Sequence, residues 1–515
     1  MSDVAVPTGA RMSRRRLLRD SLVIGTAAAL PLASPARATP GLPPGRQPLA
    51  DELVADVRDM VELGARYPGS DAHDRWVDRL EYEFRATGLD VTRDRHVFPR
   101  WECQTATLRV DGASVPVAAA YPNSGITSPA GVSGPAAYLG PISVPGITDL
   151  LDSAGIAATI DSALQALLGA VPGGVAGKIV IVDQPIAPLR LGVFDPLLSY
   201  RHDPDATIDA DTDYRRTWTT LLTATTLTAF RAAGARAAVL ILDAAPENAR
   251  GQYTPFTHPY QDLPALVVDR DAGTQLRAAA QRGGHLTVEL QAERTTRFSD
   301  SLVAILPGSG RTNESVVLHT HSDGMNAFEE NGTVAQLHLA RHFAALGRDR
   351  RERDLVISAV TGHFGPGLPE TEGFLTDHPD LIERTVASVT IEHFGATEWL
   401  DDADGYHSTG QVEPTVAFHT PSGILDLAVD ATRACDLRRF ELLRPIGNTF
   451  FGVGAALHRA GIPGVAYIGG PNYLLADVPD GHLDKLDGRR MAEEVGWTAD
   501  LLHRLDRAPA DQLRP

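Results

Sequence analysis

Four short stretches concentrate side chains that can hold a metal or move a proton. They are Thr320-His321-Ser322-Asp323-Gly324, Glu329-Glu330-Asn331-Gly332, Thr361-Gly362-His363 and Glu392-His393-Phe394-Gly395. Imidazole nitrogen and carboxylate oxygen are the ligands that zinc takes where sulfur is missing. With only Cys103 and Cys435 in the chain, a cysteine-built metal site is excluded. An ion left with an open coordination position can activate water for attack on an amide or related carbonyl. His363 offers either a ligand or a base, since an unperturbed imidazole has a pKa of about 6.5. A lone histidine at a strand end is most often a hydrogen-bonded polar residue. Agreement among several strand ends is what points to a site.

These stretches need elements that bring them together, and the surrounding pattern supplies them. Apolar runs at Leu302 to Leu306, Ser315 to His319, Leu355 to Val360, Val386 to Ile391, Val416 to His419 and Val465 to Ile468 read as strands. Helical patterns separate them at Thr333 to Leu346, Gly423 to Ala434, Gly452 to Ala460 and Arg489 to Leu505. Such alternation predicts an α/β fold, a largely parallel mixed sheet sandwiched by helices. Ligands bind beyond the carboxyl ends of the strands in sheets of this kind, which is where all four stretches fall. Nearer the N-terminus, Asp51 to Leu63 and Ala72 to Thr87 are helical and Leu89 to His96 is strand-like. Residues 113–295 are rich in Gly, Pro and Ala turns between short apolar runs, and read as a strand-rich module. The chain has no G-x-S-x-G, H-E-x-x-H or G-x-x-x-x-G-K, so serine hydrolase and P-loop chemistry find no support.

His321-Ser322-Asp323, Glu330-Asn331-Gly332-Thr333, Glu392-His393-Phe394-Gly395 and Gly461-Ile462-Pro463 together resemble the motifs of the di-zinc exopeptidase family, which includes secreted aminopeptidases, glutamate carboxypeptidase and the transferrin receptor ectodomain. Arg66-Tyr67-Pro68-Gly69-Ser70 is similar to that family's opening R-x-x-G-S. Gly177-Lys178-Ile179-Val180 and Leu263-Pro264-Ala265-Leu266-Val267-Val268 resemble the protease-associated domain often inserted in it. The resemblance implies one or two zinc ions, a peptide or small amide-type substrate, and His321, Glu330 and Glu392 as ligands. Asp323 would orient His321. The family's Glu-Glu pair is replaced here by Thr361-Gly362-His363, with His363 as ligand or base. Glu329 is an extra carboxylate, a surrogate base or a helix-start acid. His393 is an extra ligand or a wall residue. The family's last histidine is missing after Tyr473, with His482 as its nearby substitute. The implied function is a metal-dependent, peptidase-like hydrolase. The alternatives are a binding protein that keeps the fold without catalysis, or a metal enzyme of changed reaction type.

The division expected from sequence is a leader over residues 1–38, a linker over 39–49, peptidase-like segments over 50–112 and 296–515, and the protease-associated-like insertion over 113–295. The leader reading rests on Arg14-Arg15-Arg16, the apolar Leu22 to Leu32 and Ala36-Arg37-Ala38, which together have the form of a twin-arginine export signal. It places the protein outside the cell membrane as a secreted, periplasmic or surface protein. The whole chain has net charge −18, and a leader with six Arg and two Asp carries +4, so its removal leaves −22. A chain this acidic is poorly matched to nucleic acid or anionic membrane.

Overall fold

Ser315–His321, Asp354–Val360, Thr385–Glu392 and Gly464–Ile468 are buried along nearly their whole lengths, as parallel strands covered on both faces must be. The computed structural model describes residues 50–142, 153–187, 189–220 and 222–514. The expected leader and linker lie outside the described residues. The four strands pair side by side and parallel, in the order 354–360, 315–321, 385–392, 464–468. His321 pairs with Val360 and His319 with Thr390. Register therefore sets His321, the Thr361-Gly362-His363 turn and Glu392 at one edge of the sheet.

The sheet is mixed and larger than the pattern predicts. Among the described residues it contains fifteen strands, running from residues 119–120 through the four central strands to Leu198–His202. Phe440–Leu443 and Leu198–His202 extend it beyond Thr415–His419. The expected strand at Leu89 to His96 continues as Asp90–Val110, because it pairs with His285–Leu306 from Asp90 opposite Ile305 to Val110 opposite Leu286. His285–Leu306 runs without a break through position 295, so residues 113–295 and the C-terminal segment share one sheet. The Gly- and Ala-rich region also contains Ser153–Ala170, an 18-residue helix. Its Ala, Leu and Gln content favours helix, where turn-forming glycines dominate the reading of the region as a whole.

Helices cover both faces. Asp71–Ala86 starts at Ser70, whose hydroxyl accepts from the His73 amide at 3.1 Å, and its first turn holds Asp71 and Asp74, suited to the positive end of the helix dipole. Trp76, Val77, Leu80 and Phe84 recur at helical spacing and enter the main core, where Trp76 Nε1 donates to Thr333 Oγ1 at 3.2 Å. Gly488–Arg507 buries Met491, Val495, Trp497 and Leu501 in that same core. No helix among the described residues is long and apolar enough to cross a membrane.

Candidate metal and hydrolytic centre

The site is built where the helix Gly332–Ala345 begins between the ends of two strands. A Cβ at Gly332 would fall 2.5 Å from both Thr320 Oγ1 and the Ile391 carbonyl oxygen, so only glycine lets the helix start this close to the sheet. Asn331 then fixes the next loop: its amide donates to the Phe394 carbonyl at 2.7 Å, and its side-chain oxygen accepts from the Phe394 N–H at 2.9 Å. The neighbouring His393, held at φ 64°, donates from Nδ1 to the Gly469 carbonyl at 2.7 Å. On the adjacent strand, His321 donates from Nδ1 to the Asp323 carbonyl at 2.8 Å. With Nδ1 of each ring bonded to a carbonyl, Nε2 is the nitrogen that each turns toward the cluster, the orientation that a metal ligand needs.

The free nitrogens meet carboxylates. His321 Nε2 lies 3.6 Å from Glu329 Oε2 and 3.8 Å from Glu392 Oε2, and His393 Nε2 lies 3.4 Å from Glu329 Oε2. His321, Glu392 and His393 form one ligand-like group, all buried, and His321, Glu329 and His363 form a second that shares the His321 ring. His321 Nε2, His393 Nε2, both oxygens of Glu329 and Glu392 Oε2 are buried without a hydrogen-bond partner in the protein. Buried polar atoms are rarely left so, and five in one place point to an unrepresented partner. Two ligands of one tetrahedral ion, each about 2 Å from it, stand about 3.3 Å apart. His321 Nε2 and Glu392 Oε2 are near that separation, and the ligand atoms of His321, Glu392 and His393 all lie within 4.8 Å of one another. Two imidazoles and a carboxylate make the His₂Glu set of open zinc sites, so these residues fit zinc.

The electrostatics follow from burial. Desolvation holds His321 well below its usual pKa, with the neighbouring His363 and His393 adding to the effect, so the ring is neutral. It lifts Glu392 to about 7. For His393, burial pulls downward but the charges of Glu329 and Glu392 outweigh it and raise the pKa. His363 is raised to about 10: burial again opposes, and the hydrogen bond and charge of Glu370 prevail, its Oε1 standing 2.7 Å from His363 Nδ1. Glu370 had no motif to announce it, since it lies seven residues on, past the Gly365-Pro366-Gly367 turn.

Of the residues singled out from sequence, the structure gathers His321, Glu329, His363, Glu392 and His393. Asp323 adjoins them, but its contact with His321 is through the backbone carbonyl. Its carboxylate accepts instead from the Gly362 amide at 3.1 Å and the Phe364 amide at 2.8 Å, fixing the loop that carries His363. Burial raises that carboxyl to about 7. Glu330 is outside both groups. Its carboxylate is bound by Arg66, which is also fully buried and donates to the Asn326 carbonyl at 2.6 Å. His482 is likewise outside both groups, in left-handed backbone beside the Tyr473 ring.

The Arg66 pairing carries a stability prediction. Removing one member of a buried ion pair leaves the other charge uncompensated, so Arg66→Ala should cost about 3–5 kcal/mol in urea unfolding. Arg66→Ala combined with Glu330→Ala should cost less than the sum of the two single changes. A loss below about 1 kcal/mol for Arg66→Ala would remove the pair from any structural role.

No protein-family profile matches this chain, and no curated protein sequence matches it significantly. Solved structures do match. A Peptidase M28 precursor from Shewanella amazonensis SB2B superposes with a TM-score of 0.62 at 17% identity, covering 90% of this chain and 97% of that one. A zinc aminopeptidase from Bacillus subtilis gives 0.59 at 14% identity, covering 91% and 99%, and an aminopeptidase from Aneurinibacillus sp. strain AM-1 gives 0.57 at 15%, covering 90% and 96%. The chain has the fold of these aminopeptidases and of the Peptidase M28 precursor. Within that fold the cluster occupies the strand-end crevice of the parallel sheet.

Proposed function

We propose that this chain is an exported zinc-dependent hydrolase, peptidase-like in architecture, that cleaves an amide or related carbonyl bond. The observation that carries the reading is the convergence of His321, Glu329, Glu392 and His393 with their ligating atoms buried and unpartnered. His321, Glu392 and His393 would hold the ion. When bound there, zinc polarises a carbonyl and lowers the proton affinity of water. Glu329, whose two carboxylate oxygens carry no other hydrogen bond within the protein, takes the proton of the attacking water. His363 is bonded to Glu370 through Nδ1, and its Nε2 carries a proton for the leaving nitrogen.

Zinc titration at several pH values, paired with hydrolysis of a panel of anilide and ester substrates, tests this reading. One equivalent should bind. Because Glu392 takes a proton near pH 7, the carboxylates around His393 raise its affinity for one too, and the bound ion excludes both, affinity should fall by more than tenfold for each pH unit below 7. A protein that binds no zinc at pH 8 and hydrolyses nothing would refute the reading in favour of a binding protein that keeps the fold.

A further inference from the structure

The cluster lies on the wall of a cavity of about 380 Å³ whose remaining surface is mostly apolar. Leu189, Phe194 and Trp218 enter from residues 113–295, and Val416, Phe451 and Ile468 from the C-terminal part. The first group is anchored across the cavity. Trp218 Nε1 donates to the Pro471 carbonyl at 2.9 Å, Thr217 Oγ1 to the Asn472 carbonyl at 2.7 Å, and Arg216 Nε to the Gly470 carbonyl at 2.7 Å. Phe194 packs edge-on against Phe451 with ring centroids 5.8 Å apart. The apolar wall is thus fixed in place and lies beside the reacting groups.

On the hydrolase reading above, the carboxylates of this cavity all have a task. Among the described lining residues the carboxylates are Glu329, Glu392 and Glu441. Glu329 is the base and Glu392 a ligand, their unpartnered oxygens facing the imidazoles, and Glu441 accepts from Arg201 Nε at 2.5 Å. The other charged side chains of the wall, Arg190, Arg216 and the protonated His363, are all cationic. A substrate ammonium entering here would shed its water against apolar side chains and two guanidinium groups, and could pair only with a carboxylate that the reaction itself needs. An uncharged hydrocarbon group would gain from the same surroundings.

We infer that the substrate is an amide whose acyl part is bulky, apolar and free of an ammonium group, such as a fatty or aromatic acyl amide, and not a peptide with a free amino terminus. The inference rests on the hydrolase reading above. In the reaction, water oxygen bonds to the acyl carbon as Glu329 takes one water proton, and the C–N bond breaks as the leaving nitrogen takes a proton from His363 Nε2. The new carboxyl group loses the second water proton, and of these two water protons one restores His363 and the other passes to solvent, leaving a carboxylate and a free amine.

The zinc-loaded protein should be assayed with leucyl p-nitroanilide, with 4-methylpentanoyl p-nitroanilide, which differs only in lacking the amino group, and with octanoyl p-nitroanilide. The expected kcat/KM is at least tenfold higher for 4-methylpentanoyl than for leucyl, and higher again for octanoyl. An α-ammonium makes the adjacent carbonyl more reactive, so this preference can come only from binding. Equal or faster cleavage of the leucyl compound overturns the inference. Phe451 is 45% exposed, so Phe451→Asp places a charge on the wall with little risk to the fold. It should lower kcat/KM for the octanoyl compound at least tenfold, chiefly through KM, and a change under twofold counts against the apolar wall. Cleavage of none of the three defeats the hydrolase reading, and calorimetry then decides the ligand class by itself. Tenfold tighter binding of 4-methylpentanamide than of leucinamide supports the inference, and equal or weaker binding overturns it.

Discussion

His321→Ala will release the zinc and abolish hydrolysis together, while far-UV circular dichroism stays at the wild-type level. This ring belongs to both ligand-like groups, so it is the one side chain whose loss breaks every arrangement of the site. Its Nδ1 is fixed by the Asp323 carbonyl, its Nε2 has no partner in the protein, and burial keeps it neutral. It is therefore poised as a ligand without first giving up a proton. Loss of a residue that only supports a ligand typically costs 10–100-fold in metal affinity, and loss of the shared ligand should exceed that. Zinc content by elemental analysis, titration affinity and turnover check the prediction. Wild-type zinc content in the variant would remove His321 from the ligand set. Asp323→Asn serves as the contrast. Its backbone carbonyl still accepts from His321, so zinc should stay bound, and the change falls on the Gly362 to Phe364 loop.

The contrast between Glu329 and Glu330 shows how far sequence could reach. The strands, and the edge at which they deliver polar groups, were legible because continuous apolar runs between helical patterns leave a parallel sheet as the consistent arrangement. Which of two adjacent glutamates faces the cleft was not. Both lie in the turn ahead of the helix, where adjacent side chains leave the backbone in different directions, so one can join the cluster while the other turns away. The match of Glu330-Asn331-Gly332-Thr333 to a known motif favoured Glu330. The choice was made instead by Arg66, a partner 264 positions away in the chain that captures Glu330 in the core. His482 illustrates the same limit, since nearness in sequence to the expected position placed it beside Tyr473 and not among the ligands. The outer strand Phe440–Leu443 and the helix Ser153–Ala170 escaped for a different reason. One is only four residues long, and the other sits within a Gly-rich region whose turns dominate the local pattern.

His363 stands where the resembled family has a carboxylate pair, and this replacement gives the second large effect. His363→Ala should lower kcat by about 10²–10⁴-fold, the range typical for loss of a proton-transfer group. The zinc should remain, because His321, Glu392 and His393 do not need His363 to meet. Glu370 fixes which ring nitrogen faces the cavity, and its hydrogen bond and charge outweigh burial in keeping the ring protonated up to about pH 10. Glu370→Gln should therefore slow turnover less than His363→Ala does, and should shift the alkaline limb of the kcat profile to lower pH, which a purely structural support would not do. If His363→Ala instead loses its zinc in parallel with activity, His363 is a ligand and the proton must reach the leaving nitrogen by another route. If zinc is retained and turnover falls, the site works with one ion and an imidazole held by Glu370, and the proton-carrying role has passed from a carboxylate to His363.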